Sequence, residues 1–269
     1  MSPPPSSGTL AGLDHYRGGE GEPLLLLHGL GSSWRVHWRQ LPRLTAERDV
    51  LGLDLPGFGE SAPLPGIEAG VPALTDAVEA ALDEAGWERP VVAGNSMGGS
   101  IACELARRGR AAGVLAISPA GLQTGKEARY SAATMRMGHA QGHLLRPLVP
   151  LILSNPVGRT LSLYPYFGRA WAVETEDAIM TFRYGSEAPA FLPAVDWLFS
   201  HRPEGLDEIR CPVRILWGTR DALLPPRQGP RWARAIPGAE LRPLPGLGHT
   251  PFFDDPGVMT RAILDAPGG

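Results

Sequence analysis

The stretch Gly94-Asn95-Ser96-Met97-Gly98-Gly99 carries the side chain best placed to do chemistry, with an apolar run, Pro90 to Ala93, before it and a helix-like run, Ser100 to Ala106, after it. Glycines at 94 and 98 bracket Ser96 in the order G-x-S-x-G. That order lets the backbone turn sharply from strand to helix and lift the hydroxyl clear of a sheet. The helix behind the turn aims its first amides at the same place, so Met97 N–H is a candidate donor to a developing oxyanion. A serine hydroxyl ionises too little at neutral pH to attack unaided. It needs an imidazole to take its proton and hand it to the leaving group, and a third group to orient that imidazole. G-x-S-x-G also arises by chance in a chain with 34 glycines, so its weight rests on the elements around it.

Those elements alternate. Thr9 to Tyr16 reads as a first strand, Gly18 to Gly21 as a turn, and Leu24 to Leu27 as an unbroken apolar run of the kind covered on both faces in a parallel sheet. It runs into His28-Gly29-Leu30-Gly31-Ser32, where Leu30 N–H is the natural second oxyanion donor and His28 is expected to hold the loop by hydrogen bonding. Trp34 to Thr45 has helical spacing, and Val50 to Leu55 is a strand closed by Pro56-Gly57-Phe58-Gly59-Glu60-Ser61. Asp54, at that strand's end, is expected to anchor the loop. Pro72 to Ala85 predicts an amphipathic helix, and Gly113 to Pro119 a further buried strand. From about Leu122 to Ser200 no buried β run appears. Prolines interrupt helical stretches there, and aromatics gather: Tyr164, Tyr166, Phe167, Trp171, Phe182, Tyr184, Phe191, Trp197 and Phe199. An insertion at this point in the order would sit over the carboxyl ends of the strands, where open α/β sheets bind ligands. Most of its aromatics are expected to form its own core, with roughly a quarter to a third facing a pocket. Pro212 to Trp217 resumes the sheet and leads to Asp221. Pro230 to Ile236 reads as a short helix, Glu240 to Leu244 as a last strand before Pro245 to Pro251 with His249, Gly257 to Leu264 as a closing helix, and Pro267 to Gly269 as a frayed end. Ser96, Asp221 and His249 thus all fall at strand exits. Asp254 and Asp255 lie near His249 but suit a helix N-cap.

Composition narrows the partners. A formal charge of −3 offers no basic field for nucleic acid or an anionic membrane, so a small-molecule substrate is expected, with neither nucleic acid nor membrane as partner. Lys126 is the only lysine among otherwise arginine cations, which reads as codon bias. Cys103 and Cys211 form no disulfide framework and no metal motif. Met1 to Gly8 lacks the basic and apolar regions of a signal peptide, and Leu144 to Leu153 is too short to span a bilayer, so a cytoplasmic location is expected. His139, His143 and His201 lie in or near the insertion, and no HExxH pattern occurs, so neither metal nor cofactor is expected.

Taken together, His28-Gly29-Leu30-Gly31-Ser32, Asp54 to Ser61, the Ser96 turn, Gly218-Thr219-Arg220-Asp221 and Gly248-His249 resemble the α/β-hydrolase superfamily, in its order and over nearly the whole chain. The resemblance implies a mostly parallel sheet flanked by helices with an inserted helical cap. The expected organisation is a disordered tail over 1–8, a core over 9–121 and 201–269, and a cap over 122–200. It also implies roles: Ser96 as nucleophile, Asp221 as the acid that orients and supports the imidazolium, His249 as base, and the Leu30 and Met97 amides as oxyanion hole. Ser96 argues against the haloalkane dehalogenase and epoxide hydrolase branches, which need a carboxylate at that turn. The turn is also similar to that of carbon-carbon bond hydrolases, but Leu30-Gly31 and Thr250 stand where those enzymes usually carry a glycine-proline loop and a tryptophan. The expected activity is therefore hydrolysis of a small, largely apolar carboxylic ester, thioester or lactone through an acyl-serine. The alternatives are carbon-carbon bond hydrolysis, cofactor-free perhydrolysis, and a non-hydrolytic role as a small-ligand receptor or a scaffold for a rearrangement.

Overall fold

The computed structural model describes residues 3–63, 65 and 69–268. Among them, eight strands form one sheet: β1 (Gly8–Leu10), β2 (Leu13–Gly18), β3 (Pro23–Leu27), β4 (Asp49–Leu53), β5 (Val91–Asn95), β6 (Gly113–Ile117), β7 (Val213–Gly218) and β8 (Glu240–Leu244). Their order is β1-β2-β4-β3-β5-β6-β7-β8. The strands from β4 to β8 run parallel, while β1 and β2 pair antiparallel at one edge. Register explains the apolar runs. Leu25 lies between Leu51 and Val92, and Leu27 between Leu53 and Gly94, so every position in the centre of the sheet has an apolar neighbour on each side. Along β3 the side chains alternate between two cores: Leu25 and Leu27 face one, Leu24 and Leu26 the other.

Helices cover both faces. On one lie α2 (Val71–Glu84), α3 (Met97–Arg107) and α9 (Gly229–Ala235); on the other lie α1 (Leu41–Leu44) and α10 (Pro256–Leu264). Between β6 and β7 the chain departs into α4 (Gly125–Leu145), α5 (Val149–Leu153), α6 (Pro156–Leu163), α7 (Thr175–Glu187) and α8 (Phe191–Ser200). Of the aromatics in that stretch, Phe167, Tyr184 and Phe191 are buried, whereas Tyr164 and Trp171 are exposed.

The structure corrects four readings of the sequence. The first strand is a hairpin, because Ala11 and Gly12 take φ of 47° and 79° and turn the chain back on itself. The tail is not free over its whole length: Gly8 opens β1, Ser7 N–H donates to the His15 carbonyl at 2.7 Å, and the Ser6 hydroxyl to the same carbonyl at 3.0 Å. Met1 and Ser2 lie outside the described residues. Trp34 to Thr45 is not one helix but a 3-10 turn, Trp34–His37, followed by the single turn α1, which has Pro42 in its first turn. The C-terminal end packs back on the sheet: a Cβ on Gly113 would lie 1.8 Å from the Pro267 carbonyl oxygen. Gly269 lies outside the described residues.

Candidate active site

Because β3 to β8 are parallel, the loops after them open at one edge of the sheet. Ser96 leaves β5 with φ 55° and ψ −115°, a conformation that side chains rarely adopt and that tight packing must enforce. The two bracketing glycines supply the room. A Cβ on Gly94 would stand 2.2 Å from Gly98 O, and one on Gly98 2.5 Å from both Leu27 O and His28 O. Helix α3 begins at Met97, so its amide is among those without an intrahelical acceptor. Across the turn, a Cβ on Gly29 would lie 3.3 Å from Ser96 Cβ, which places the β3 exit, and Leu30 after it, beside the serine.

His249 Nδ1 and Asp221 Oδ2 are 2.8 Å apart, both side chains being buried. The other Asp221 oxygen accepts Leu223 N–H at 3.0 Å and Leu224 N–H at 2.7 Å, which sets the plane of the carboxylate. An ionised carboxylate only accepts, so Nδ1 carries the ring proton and Nε2 is left with the lone pair. Asn95 ties this loop to the serine turn: its Nδ2 donates to the His249 carbonyl and to the Ile117 carbonyl, each at 3.0 Å. The structure therefore brings Asp221 into contact with His249, and joins the His249 backbone to the residue preceding Ser96.

His28 and Asp54 hold loops, as their positions suggest. Leu55 N–H donates to His28 Nε2 at 3.0 Å, so Nδ1 is the protonated nitrogen and donates to Gly29 O at 2.7 Å. Complete burial lowers the His28 pKa to about 4, which keeps it neutral. Asp54 accepts Trp34 N–H at 2.7 Å and Glu60 N–H at 2.8 Å; burial nevertheless raises its pKa to about 6, against the pull of those amides. Asp255 caps α10 by accepting Val258 N–H at 3.0 Å. Asp254 does something its sequence position does not suggest: it accepts backbone amides from Gly168, Arg169 and Gly248. Nothing in the local pattern could have revealed this, because two of the donors lie more than eighty residues away.

Leu30 and Thr250 lie on the wall of a cavity of about 80 Å³ beneath α4, α6, α7 and α8. Tyr166, Phe182 and Phe191 supply its aromatic wall, and His139, Gln141 and Thr181 its polar groups. Its lining holds neither Ser96 nor His249, but it includes Thr250, which follows His249, and Leu30, which follows Gly29 beside the serine turn. A larger groove, about 550 Å³, runs along α3 past Glu104, Arg107 and Arg108 and holds none of Ser96, Asp221 and His249. No group of three or more potential metal ligands occurs among the described residues. Nor is any helix among them long and apolar enough to cross a membrane.

The sheet order, the strained serine between glycines and the buried histidine-carboxylate pair at the strand exits define an α/β hydrolase. The alpha/beta hydrolase family matches residues 24–262, and the chain belongs to it. An epoxide hydrolase from Mycobacterium tuberculosis is 32% identical over 71% of this chain and 91% of its own length. The pimeloyl-[acyl-carrier protein] methyl ester esterase of Chromobacterium violaceum is 29% identical over 92% of this chain and 94% of its own. Among solved structures, a thermophilic esterase from Thermogutta terrifontis superposes with a TM-score of 0.71 at 26% identity, covering 94% of this chain and 92% of that one.

Proposed function

We propose that the protein is a serine hydrolase that cleaves a small, largely apolar carboxylic ester, thioester or lactone through an acyl-Ser96 intermediate. The observation that carries this reading is the buried His249–Asp221 pair at 2.8 Å, with Nε2 left as the acceptor nitrogen. In this mechanism Nε2 takes the Ser96 proton as Oγ attacks the carbonyl carbon. The tetrahedral oxyanion is held by the Leu30 and Met97 amides. Collapse expels the alcohol or thiol, which takes the proton from His249, and water repeats the sequence to release the acid. Asp221 steadies the transient imidazolium. Two relatives named as esterases agree with this chemistry. The relative named as an epoxide hydrolase does not extend its named activity here, since opening an epoxide in this fold is expected to use a carboxylate where this chain has Ser96. The cavity that Leu30 and Thr250 line beneath the helices supports reading the helical layer as a cap, and its small volume favours a short acyl or leaving group.

Intact-mass spectrometry after exposure to a fluorophosphonate, alongside turnover of para-nitrophenyl esters of increasing acyl length, tests the proposal. One adduct at Ser96 is expected, with fastest turnover for short chains. Ser96→Ala should lose the adduct and reduce turnover by about 10⁴-fold or more. Undiminished turnover by a folded Ser96→Ala protein would overturn the nucleophile assignment.

A further inference from the structure

Three consecutive residues of the histidine loop are held by three different parts of the chain. Gly248 N–H donates to Asp254 Oδ2 at 2.7 Å, the His249 carbonyl accepts from Asn95 Nδ2 at 3.0 Å, and Thr250 N–H donates to Tyr166 O at 2.8 Å. Asp254 links the first of these to the third. Its Oδ2 also accepts Gly168 N–H at 2.9 Å, and its Oδ1 accepts Arg169 N–H at 2.8 Å. Gly168 and Gly248 pass so closely that a Cβ on Gly248 would stand 2.3 Å from Gly168 N, and one on Gly168 2.5 Å from Gly246 O. The acid loop joins the same cluster, because Arg220, the neighbour of Asp221, donates to the Gly168 carbonyl at 3.2 Å. Residues 166–169 of the inserted layer thus touch the loops of both His249 and Asp221.

We infer that Asp254, with the Tyr166–Arg169 segment it gathers, is a positioning residue for His249. This rests on the reading of His249 as the base. A loop of the sequence Gly246-Leu247-Gly248-His249 has wide conformational freedom by itself, and a base displaced by 1 Å loses about a hundredfold in rate. One buried carboxylate that accepts three amides removes that freedom from both sides of the contact at once. The layer and the histidine loop then behave as one body at this end. An amide cannot replace the carboxylate here, since the –NH2 group of asparagine would face a backbone N–H.

The neighbouring aspartate provides the control. Asp255 caps α10 and meets Arg169 only at 3.7 Å on the surface, with no contact to Gly248, His249 or Thr250 among the described hydrogen bonds. Asp254→Asn is expected to lower kcat about 10- to 100-fold with KM within about twofold. It should also move the ¹⁵N shifts of the His249 ring from the Nδ1–H tautomer towards a mixture, which is read in the resting enzyme without substrate. Asp255→Ala, compared at its own loss of Tm, should leave kcat and ring shifts unchanged. Arg220→Met, a milder change that keeps the carboxylate, should lower kcat about threefold to tenfold in the same direction, and it serves if Asp254→Asn does not fold. Should Asp254→Asn, or Arg220→Met in its place, keep wild-type ring shifts, or should Asp255→Ala lose kcat equally, the positioning role is wrong. Absence of ester turnover with the ring shifts still moving in Asp254→Asn would instead count against the hydrolase reading and leave the positioning role standing.

Discussion

The sheet and the helical layer above it share their apolar cores but differ in how far polar anchors supplement them. In the sheet, Leu24 to Leu27, Val92 and Val114 are essentially inaccessible and face apolar neighbours on both sides, so burial of hydrocarbon decides the geometry. The layer exposes Leu144, Leu148, Leu151, Val157 and Leu161, and although Phe191, Val195 and Leu198 pack into the same core as the sheet, a few buried carboxylates also tie it to the rest of the chain. Glu127 at the start of α4 completes a capping box with Thr124 and binds Arg231 and Arg227 at 2.6 Å each. Asp177 on α7 accepts from Trp38 Nε1 and Arg39 Nε, and Asp254 from Gly168 and Arg169. A residue in the sheet therefore has many interchangeable partners, while an anchor of the layer has two or three that nothing else can replace.

Several measurements would break or sharpen that contrast. The largest expected effect is at the serine turn. Gly98→Ala pushes a methyl group against two carbonyl oxygens of the β3 exit, and it should destabilise the protein by about 3 kcal/mol or more in urea titration. Leu25→Ala should cost about 2–5 kcal/mol by the same measurement, as a cavity opens between β4 and β5. If either change proved neutral, the sheet would not be the close-packed element described.

Acid should act on both regions, in successive pH ranges. His28 and His37 are held neutral by burial, with pKa lowered to about 4 and about 3, below their value in the unfolded chain. The unfolded chain therefore takes up protons that the folded one refuses, and their contribution, complete above pH 6.5, falls away as pH drops towards 4. Asp54 opposes this: its pKa, raised to about 6, lets the folded state bind a proton first, so its own penalty is relieved over the same interval. Glu127 adds to the loss lower down. The hydrogen bond from Arg231 holds its carboxyl well below the usual range, so its stabilisation disappears as pH falls below the ordinary carboxylate pKa of about 4.5. The urea midpoint should drop from pH 6.5 to 4 and further below, and Glu127→Gln should flatten only the lower segment. A midpoint constant down to pH 4 would contradict the two buried imidazoles as neutral anchors. Smallest of all, Leu161→Ser on the outer face of α6 should change stability by no more than about 0.5 kcal/mol.

The parallel core was legible because its determinants are local. Apolar runs bounded by glycine or proline marked β3 to β8 to within a residue or two, and the glycines around Ser96 announced a turn that only glycine permits. The β1–β2 hairpin was missed, although Ala11-Gly12 between Leu10 and Leu13 marks it, and Pro42 could have split the run from Trp34. Both signals are only one or two residues long and are easily overridden by the longer pattern around them.

The sequence by itself determined that a serine would stand at a strand exit, with a carboxylate and an imidazole at later exits of one parallel sheet, because period and punctuation are properties of neighbouring residues. Only the tertiary structure decided that Asp221 and His249 meet at 2.8 Å, that His28 is a neutral anchor of known tautomer, and that Asp254 serves Gly168 and Gly248 alike. A hydrogen bond is set by tenths of an ångström between groups that folding brings together from distant parts of the chain. Its partners are chosen by the backbone path, which no short stretch of residue types encodes.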